Sequence, residues 1–285
     1  MKLMVMPSNI DEINNTLDYC DAYLIGIKEL SINMNLYVDI GEIDKIKRII
    51  GNKELFISVN KNITNDDIDK VKDIMIKLND YNINGLFYYD VGIVKIYNNI
   101  DTNYELVWAS NHATTNYNTI NYWSSFGVKY CLISSEITLN EIIDIRNNTS
   151  IKMIVPIFGY QTMFNSKRHI VKNYLDYFNL SDNSKVNYIE KEGKVYPIID
   201  DKLGTTVYTN YILNGICGYD NLVDNGIDYV LFNSFNIDSR KFLDVLKCVR
   251  DYNKDSYEKI SSLFSNCGTG FMYQETIARV KKDEK

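Results

Sequence analysis

The stretch "MIVPIFGYQTMFNSKRHIVKN", residues 153–173, opens with six apolar residues, passes through a glycine, and ends in three cations and a histidine. A run that is apolar at every position suits a parallel strand covered on both faces, whereas a half-exposed strand would alternate. Seven other runs share this character: "KLMVM" at 2–6, "AYLIGI" at 22–27, "LFISV" at 55–59, "GLFYY" at 85–89, "ELVWA" at 105–109, "VKYCLI" at 128–133 and "YVLFN" at 229–233. Segments of helical period separate them. In "NDDIDKVKDIMIKLND", Ile68, Val71, Ile74, Met75 and Leu78 share one face behind an acidic first turn. Thr138 and Glu141 have the spacing of a capping box, and "DSRKFLDVLKCVRDY" carries a stripe of Phe242, Val245, Leu246 and Val249.

Eight parallel strands alternating with helices in 285 residues define a (β/α)8 barrel as the expected fold, with an open doubly wound α/β sheet as the alternative. The chain, 1–285, is expected to form one domain, with an insertion at about 160–225 and a C-terminal extension at about 252–285. The seventh and eighth strands lie about 70 residues apart, against 20 to 30 elsewhere. Within that interval "EKEGK" sits between β-branched flanks and reads as a hairpin, placed as a flap over the barrel's C-terminal rim.

The composition is that of a globular protein, 45% hydrophobic and 24% charged. No apolar run approaches the roughly 20 residues of a membrane span. The opening "MKLMVMPSN" lacks the features of a secretory signal, so a cytoplasmic location is expected. A net charge of −6 argues against a surface given over to nucleic acid, while leaving room for a local basic patch. The densest basic clusters are Lys167–Lys172 and the tail "RVKKDEK". The five scattered cysteines include no C-x-x-C pair and read as reduced thiols.

In such a barrel the residues just past each strand face the site. His112 is a candidate acid/base group because imidazole titrates near neutrality, or a loop histidine bonded to backbone. Glu136 is a candidate general base, or a carboxylate held by a helix start. Arg168 completes the candidate catalytic set, and with Lys167 it is placed to meet an anionic substrate. Asn60, Asp90, Ser110 and Asn116 are expected to bind substrate from the earlier strands, and Gln161, Gly204, Thr205 and Asn233 from the later ones. Zincin, nucleophile-elbow, P-loop and dinucleotide signatures are missing, and two distant histidines supply no obvious metal site.

The segments "CDAYLIG", "WASNHATTNYNTINYW", "CLISSEITLNEI", "YPIIDDKLGTTVYTN" and "GTGFMYQETIARVK", together with the opening stretch, carry a resemblance over essentially the whole chain. The sequence resembles the collagenase-like peptidase family U-32, in its short single-barrel branch of paired proteins from Gram-positive bacteria. The resemblance implies either proteolysis or support of RNA base hydroxylation, including 5-hydroxylation of the tRNA wobble uridine; other relatives support ubiquinone synthesis. Relatives of the hydroxylation type hold an iron–sulfur cluster through cysteines in and after the loop that follows the "FG" strand. Here Thr162 and His169 stand at those positions, and no cysteine occurs between Cys131 and Cys217. No cofactor is therefore expected. Ser135 stands where the family commonly has arginine, and His112 where it has glutamine. The expected role is a tRNA hydroxylation factor or the cluster-less partner of a cysteine-bearing paralogue, reaching tRNA through that partner. A peptidase and a barrel binding a small anionic metabolite are the alternatives.

Overall fold

The structure, a computed structural model, describes residues 1–110, 112–182 and 184–274. The basic tail and the end of "GTGFMYQETIARVK" lie outside the described residues.

Eight parallel strands form the barrel: β1 (Lys2–Met6), β2 (Ala22–Ile27), β3 (Glu54–Val59), β4 (Gly85–Tyr88), β5 (Glu105–Trp108), β6 (Tyr130–Leu132), β7 (Lys152–Gly159) and β8 (Tyr229–Asn233). Each pairs with its neighbour, and β8 pairs with both β7 and β1, which closes the cylinder. The uninterrupted apolar runs follow from two separate cores. Met4, Leu24, Phe56, Phe87, Val107 and Leu231 point into the barrel. Their neighbours Leu3, Val5, Tyr23, Ile25, Leu55 and Leu106 point outward into the layer shared with the helices. Both faces of each strand are thus dry, and period-two patterning disappears.

Aromatic rings plug the N-terminal end of the barrel. Phe56 meets Phe87, Tyr130 and Tyr229 edge to face at 5.9, 5.7 and 5.7 Å. Below them the Tyr229 hydroxyl donates to Glu54, which also pairs with Lys2, and Lys152 lies over the Tyr130 ring. The opposite mouth is where the cavities lie. There β7 and β8 converge so closely that a Cβ on Gly159, at φ +106°, would stand 2.1 Å from the Asn233 carbonyl oxygen.

The chain between β7 and β8 forms a four-stranded antiparallel sheet, in the order Asn187–Lys191, Lys194–Asp201, Gly204–Tyr208, Thr162–Ser166. The hairpin expected at "EKEGK" turns at Glu192 and Gly193, both at positive φ (55° and 72°), as a two-residue turn between twisted strands requires. The loop expected after the "FG" strand contains a strand at residues 162–166. They pair along 204–208 with a side-chain pattern exposed enough to conceal a strand. Among the described residues no helix is long and apolar enough to cross a membrane.

Candidate functional site: the C-terminal mouth of the barrel

A narrow cavity of about 60 Å³ opens along the barrel axis at this end. Its floor is Leu24, Phe87, Leu132 and Leu231, and its rim is Asn33, Asn60, Ser135, Gln161 and Asn233. Among the described residues no charged side chain lines it. Two wider cavities adjoin. One, of about 350 Å³, shares Asn33, Asn60 and Ala109 and adds Asn62, Tyr89, His112, Phe164 and Asn165. The other, of about 650 Å³, shares Ser135, Gln161 and Thr162 and adds Glu136, Lys194, Tyr211 and Phe271.

His112 and Glu136 join these two spaces. Their loops follow β5 and β6, adjacent strands, so residues 24 apart in sequence come to the same edge of the mouth. Nδ1 of His112 lies 3.3 Å from Oε1 of Glu136, and both side chains are half-exposed. The Glu136 backbone is fixed by its amide, which donates to Ser134 Oγ, and the following helix Leu139–Asn147 starts from the Thr138–Glu141 capping box. A carboxylate beside one imidazole nitrogen orients the ring and leaves the other nitrogen for a substrate. Tyr211 stands across the cavity, its hydroxyl pKa raised by burial and then by the Glu136 charge.

The other expected substrate residues divide by what they touch. Gln161 faces both the axial cavity and the Glu136 cavity, with its side-chain amide donating to the Gly159 carbonyl. Asn60 makes a two-point bond to the backbone of Ile32. Asn233 accepts from Asn35 and donates to the Tyr160 carbonyl. Both keep a place on the axial rim. Ser110, Asp90 and Asn116 hold backbone: Ser110 Oγ accepts from Ala113, Asp90 accepts from Ile63 and Gly92, and Asn116 caps the helix Tyr117–Ser125. Thr205 accepts from the Ile170 amide and donates to the Arg168 carbonyl, so its hydroxyl is spent locally.

Arg168 is not brought to the His112–Glu136 pair. Among the described residues its side chain forms no ion pair with Glu136 and lines neither cavity. Lys167 and Gly204 line a separate cleft of about 340 Å³ beside the mouth, with Lys61, Lys202 and Asp67. His169 contacts Asp200 at 2.8 Å, and Asp200 also accepts from the Lys172 amide, so this pair anchors the start of helix Ile170–Phe178.

Tyr89, Phe164, Asn33 and Asn165 were not distinguishable in a sequence crowded with Tyr and Asn. Tyr89 and Phe164 are 44% and 48% exposed, bare rings at the His112 cavity. Thr206 Oγ1 lies 2.8 Å from Asn33 Oδ1 and 2.9 Å from Asn165 Oδ1. A hydroxyl has one proton, so only one amide accepts and the other turns its NH2 toward Thr206, leaving its carbonyl oxygen to face elsewhere.

The thiols do not form a ligand set. Cys20 and Cys131 are buried, and burial pushes Cys20 up to about 11 and Cys131 higher still. Burial likewise raises Cys217, and takes Cys267 to about 11. An iron–sulfur cluster is held by cysteines brought together in space. Among the described residues no three His, Cys, Asp or Glu side chains are grouped to hold a metal ion.

Comparison with known proteins places this mouth in context. The fold is similar to orotidine 5'-phosphate decarboxylase from Pyrococcus horikoshii OT3, at TM-score 0.49 and 11% identity, covering 91% of this chain and 99% of that one. It is also similar to the tryptophan synthase complex of Pyrococcus furiosus, at TM-score 0.46 and 8% identity, covering 92% and 94%. Likeness at that level has no weight for the chemistry. In sequence, the chain is 28% identical over 211 residues to tRNA hydroxylation protein P2 of Bacillus subtilis (strain 168), spanning 61% of this chain and 64% of the relative's own length. The family model of peptidase family U32 matches residues 9–279, nearly the entire length, and the chain belongs to that family.

Proposed function

We propose that this protein serves tRNA hydroxylation, in the 5-hydroxylation of the wobble uridine, as the cluster-less partner of a cysteine-bearing paralogue in the cytoplasm. The observation that carries this reading is the pairing, beside His112, of two bare aromatic rings with amide side chains. Unstacked bases are recognised by stacking on aromatic faces and by hydrogen bonds to their polar edges, and Tyr89, Phe164, Asn33 and Asn165 are groups of those two kinds. The similarity to a tRNA hydroxylation protein supports the same reading. In it, His112 and Glu136 exchange a proton with the bound base or hold its carbonyl, and the neutral axial rim receives a planar, uncharged edge. The scatter of the five cysteines along the chain supports a division of labour in which redox chemistry belongs to the partner.

Proteolysis has less to stand on. Acyl transfer by a triad needs a hydroxyl or thiol against the base, and among the described residues none bonds to either histidine ring.

The test is deletion of the gene in its host and mass spectrometry of wobble-uridine 5-hydroxylation in bulk tRNA. Loss of the modification, restored by the wild-type gene and not by His112→Asn or Glu136→Gln, is expected. Unchanged modification in the deletion strain ends the proposal. Affinity purification from the same host is expected to bring down the cysteine-bearing paralogue.

A further inference from the structure

The cleft beside the mouth carries a feature that the base-binding reading does not use. Lys61, Lys167 and Lys202 converge on it from three segments: the loop after β3, the end of strand Thr162–Ser166, and the turn between strands Lys194–Asp201 and Gly204–Tyr208. Two carboxylates share the space, but each is engaged. Asp67 holds the Thr64 amide and hydroxyl and pairs with Lys61 at 2.9 Å. Asp201 accepts from the Leu203 amide. Among the described residues Lys167 and Lys202 form no ion pair, and the cleft sets three cations against two carboxylates in a chain whose net charge is −6. Ile32, Asn62 and Asn165 line both this cleft and the His112 cavity, so the two spaces are neighbours.

We infer that this lysine cleft binds a phosphodiester of single-stranded RNA, holding the backbone next to the nucleotide whose base enters the His112 cavity. The inference rests on the function proposed above, and the spacing is what gives it content: a base and its own phosphate are joined by one ribose, and the two spaces meet at Asn165. Lysine ammonium groups meet phosphate as point charges and tolerate any sequence. The cleft therefore supplies grip, and the aromatic and amide groups of the mouth supply choice. The acidic net charge keeps the rest of the surface from competing for the strand.

The experiment uses the full chain with a fluorescently labelled single-stranded RNA oligonucleotide, followed by anisotropy across a salt series. Wild type is compared with Lys167→Ala/Lys202→Ala and with a control pair, Lys45→Ala/Lys72→Ala, exposed helix residues that do not line the cleft. The cleft pair is expected to raise Kd several-fold and to make the slope of log K against log salt shallower by about 1.4, about 0.7 for each lost phosphate contact. The control pair is expected to follow wild type. Equal Kd and slope in both pairs overturn the assignment. So does a thermal shift with inorganic phosphate that depends on Lys167 and Lys202 while RNA affinity does not, because the site then takes a free phosphate. A deletion strain with normal tRNA hydroxylation would defeat the proposed function and leave these binding curves standing. Loss of hydroxylation together with unaltered curves would defeat the cleft alone.

Discussion

Glu12 closes the seam of the barrel, and its titration should be readable in stability. The side chain is 1% exposed, between the ends of β1 and β8. Its carboxyl oxygens meet the Ser8 amide at 2.6 Å, Ser234 Oγ at 2.5 Å and Ser239 Oγ at 3.2 Å. Ser234 Oγ also reaches the Met6 carbonyl at 3.0 Å. Ser234 Oγ donates to Glu12 and also lies 2.7 Å from Ser8 Oγ, so the carboxyl is held inside a small hydrogen-bonded cluster shut off from water. Burial accordingly raises the Glu12 pKa above its ordinary 4.5, against the opposing hydrogen bonds from Ser234, Ser8 and Ser239. The folded state thus binds more protons than the unfolded chain just above pH 4.5. The stabilisation is complete below the unfolded value and is lost as pH rises toward the folded one, at no more than about 1.4 kcal/mol per pH unit.

Glu12→Gln isolates the effect, because glutamine keeps the shape and cannot titrate. At low pH the variant should be less stable than wild type by about 1 kcal/mol, since its NH2 faces donors where the acid offered an acceptor or a proton. As pH rises the gap should narrow at up to about 1.4 kcal/mol per unit. Urea unfolding at a series of pH values, with both proteins in the same buffers, gives that difference directly. All other titrating groups cancel in it. A gap that stays constant or widens from pH 4.5 upward refutes the argument that burial raises the pKa of this carboxyl.

Gly159→Ala should cost about 3 kcal/mol or more, because its Cβ meets backbone at a φ that disfavours side chains. Gly127→Ala, also at positive φ but with open space around it, should cost only about 1 kcal/mol, and denaturant midpoints separate the two. His112→Asn and Glu136→Gln should leave the unfolding free energy within about 0.5 kcal/mol of wild type, since the pair is half-exposed, while tRNA hydroxylation in the complemented strain falls. The two tryptophans offer a direct probe of the mouth. Trp108 stacks on Trp123 at 4.2 Å and on Tyr89 at 6.1 Å, so uridine monophosphate should quench their emission in a titration that Tyr89→Ala abolishes.

Which parts of this architecture could be read from sequence follows from how each part is stabilised. The barrel strands were legible because both faces of each are buried, and a run such as "AYLIGI" has few other uses. The capping box at Thr138 is local chemistry and appears as expected. The strand Thr162–Ser166 was not legible because it belongs to an exposed sheet, where pairing with 204–208 and not burial fixes the backbone. The same division runs through the site. His112 and Glu136 were rare enough, or well enough placed after a strand, to single out. Tyr89 and Phe164 acquire meaning only from exposure, which composition conceals in a chain with 23 tyrosines.

The distribution of charge around the mouth narrows the chemistry further. The axial cavity has an amide and hydroxyl rim over an apolar floor, so an ionised group entering it would lose hydration with no counter-charge to replace it. A neutral ring with one polar edge loses little and gains several hydrogen bonds. The cations stand apart, at the lysine cleft, and the acid/base pair stands between two wider spaces and outside the narrowest one. A ligand matching all three zones must be uncharged and planar at one end and anionic a few bonds away, with an exchangeable proton or carbonyl near the junction. A nucleotide within an RNA strand has that order of parts. That order of parts is what the RNA substrate proposed above would bring to the mouth.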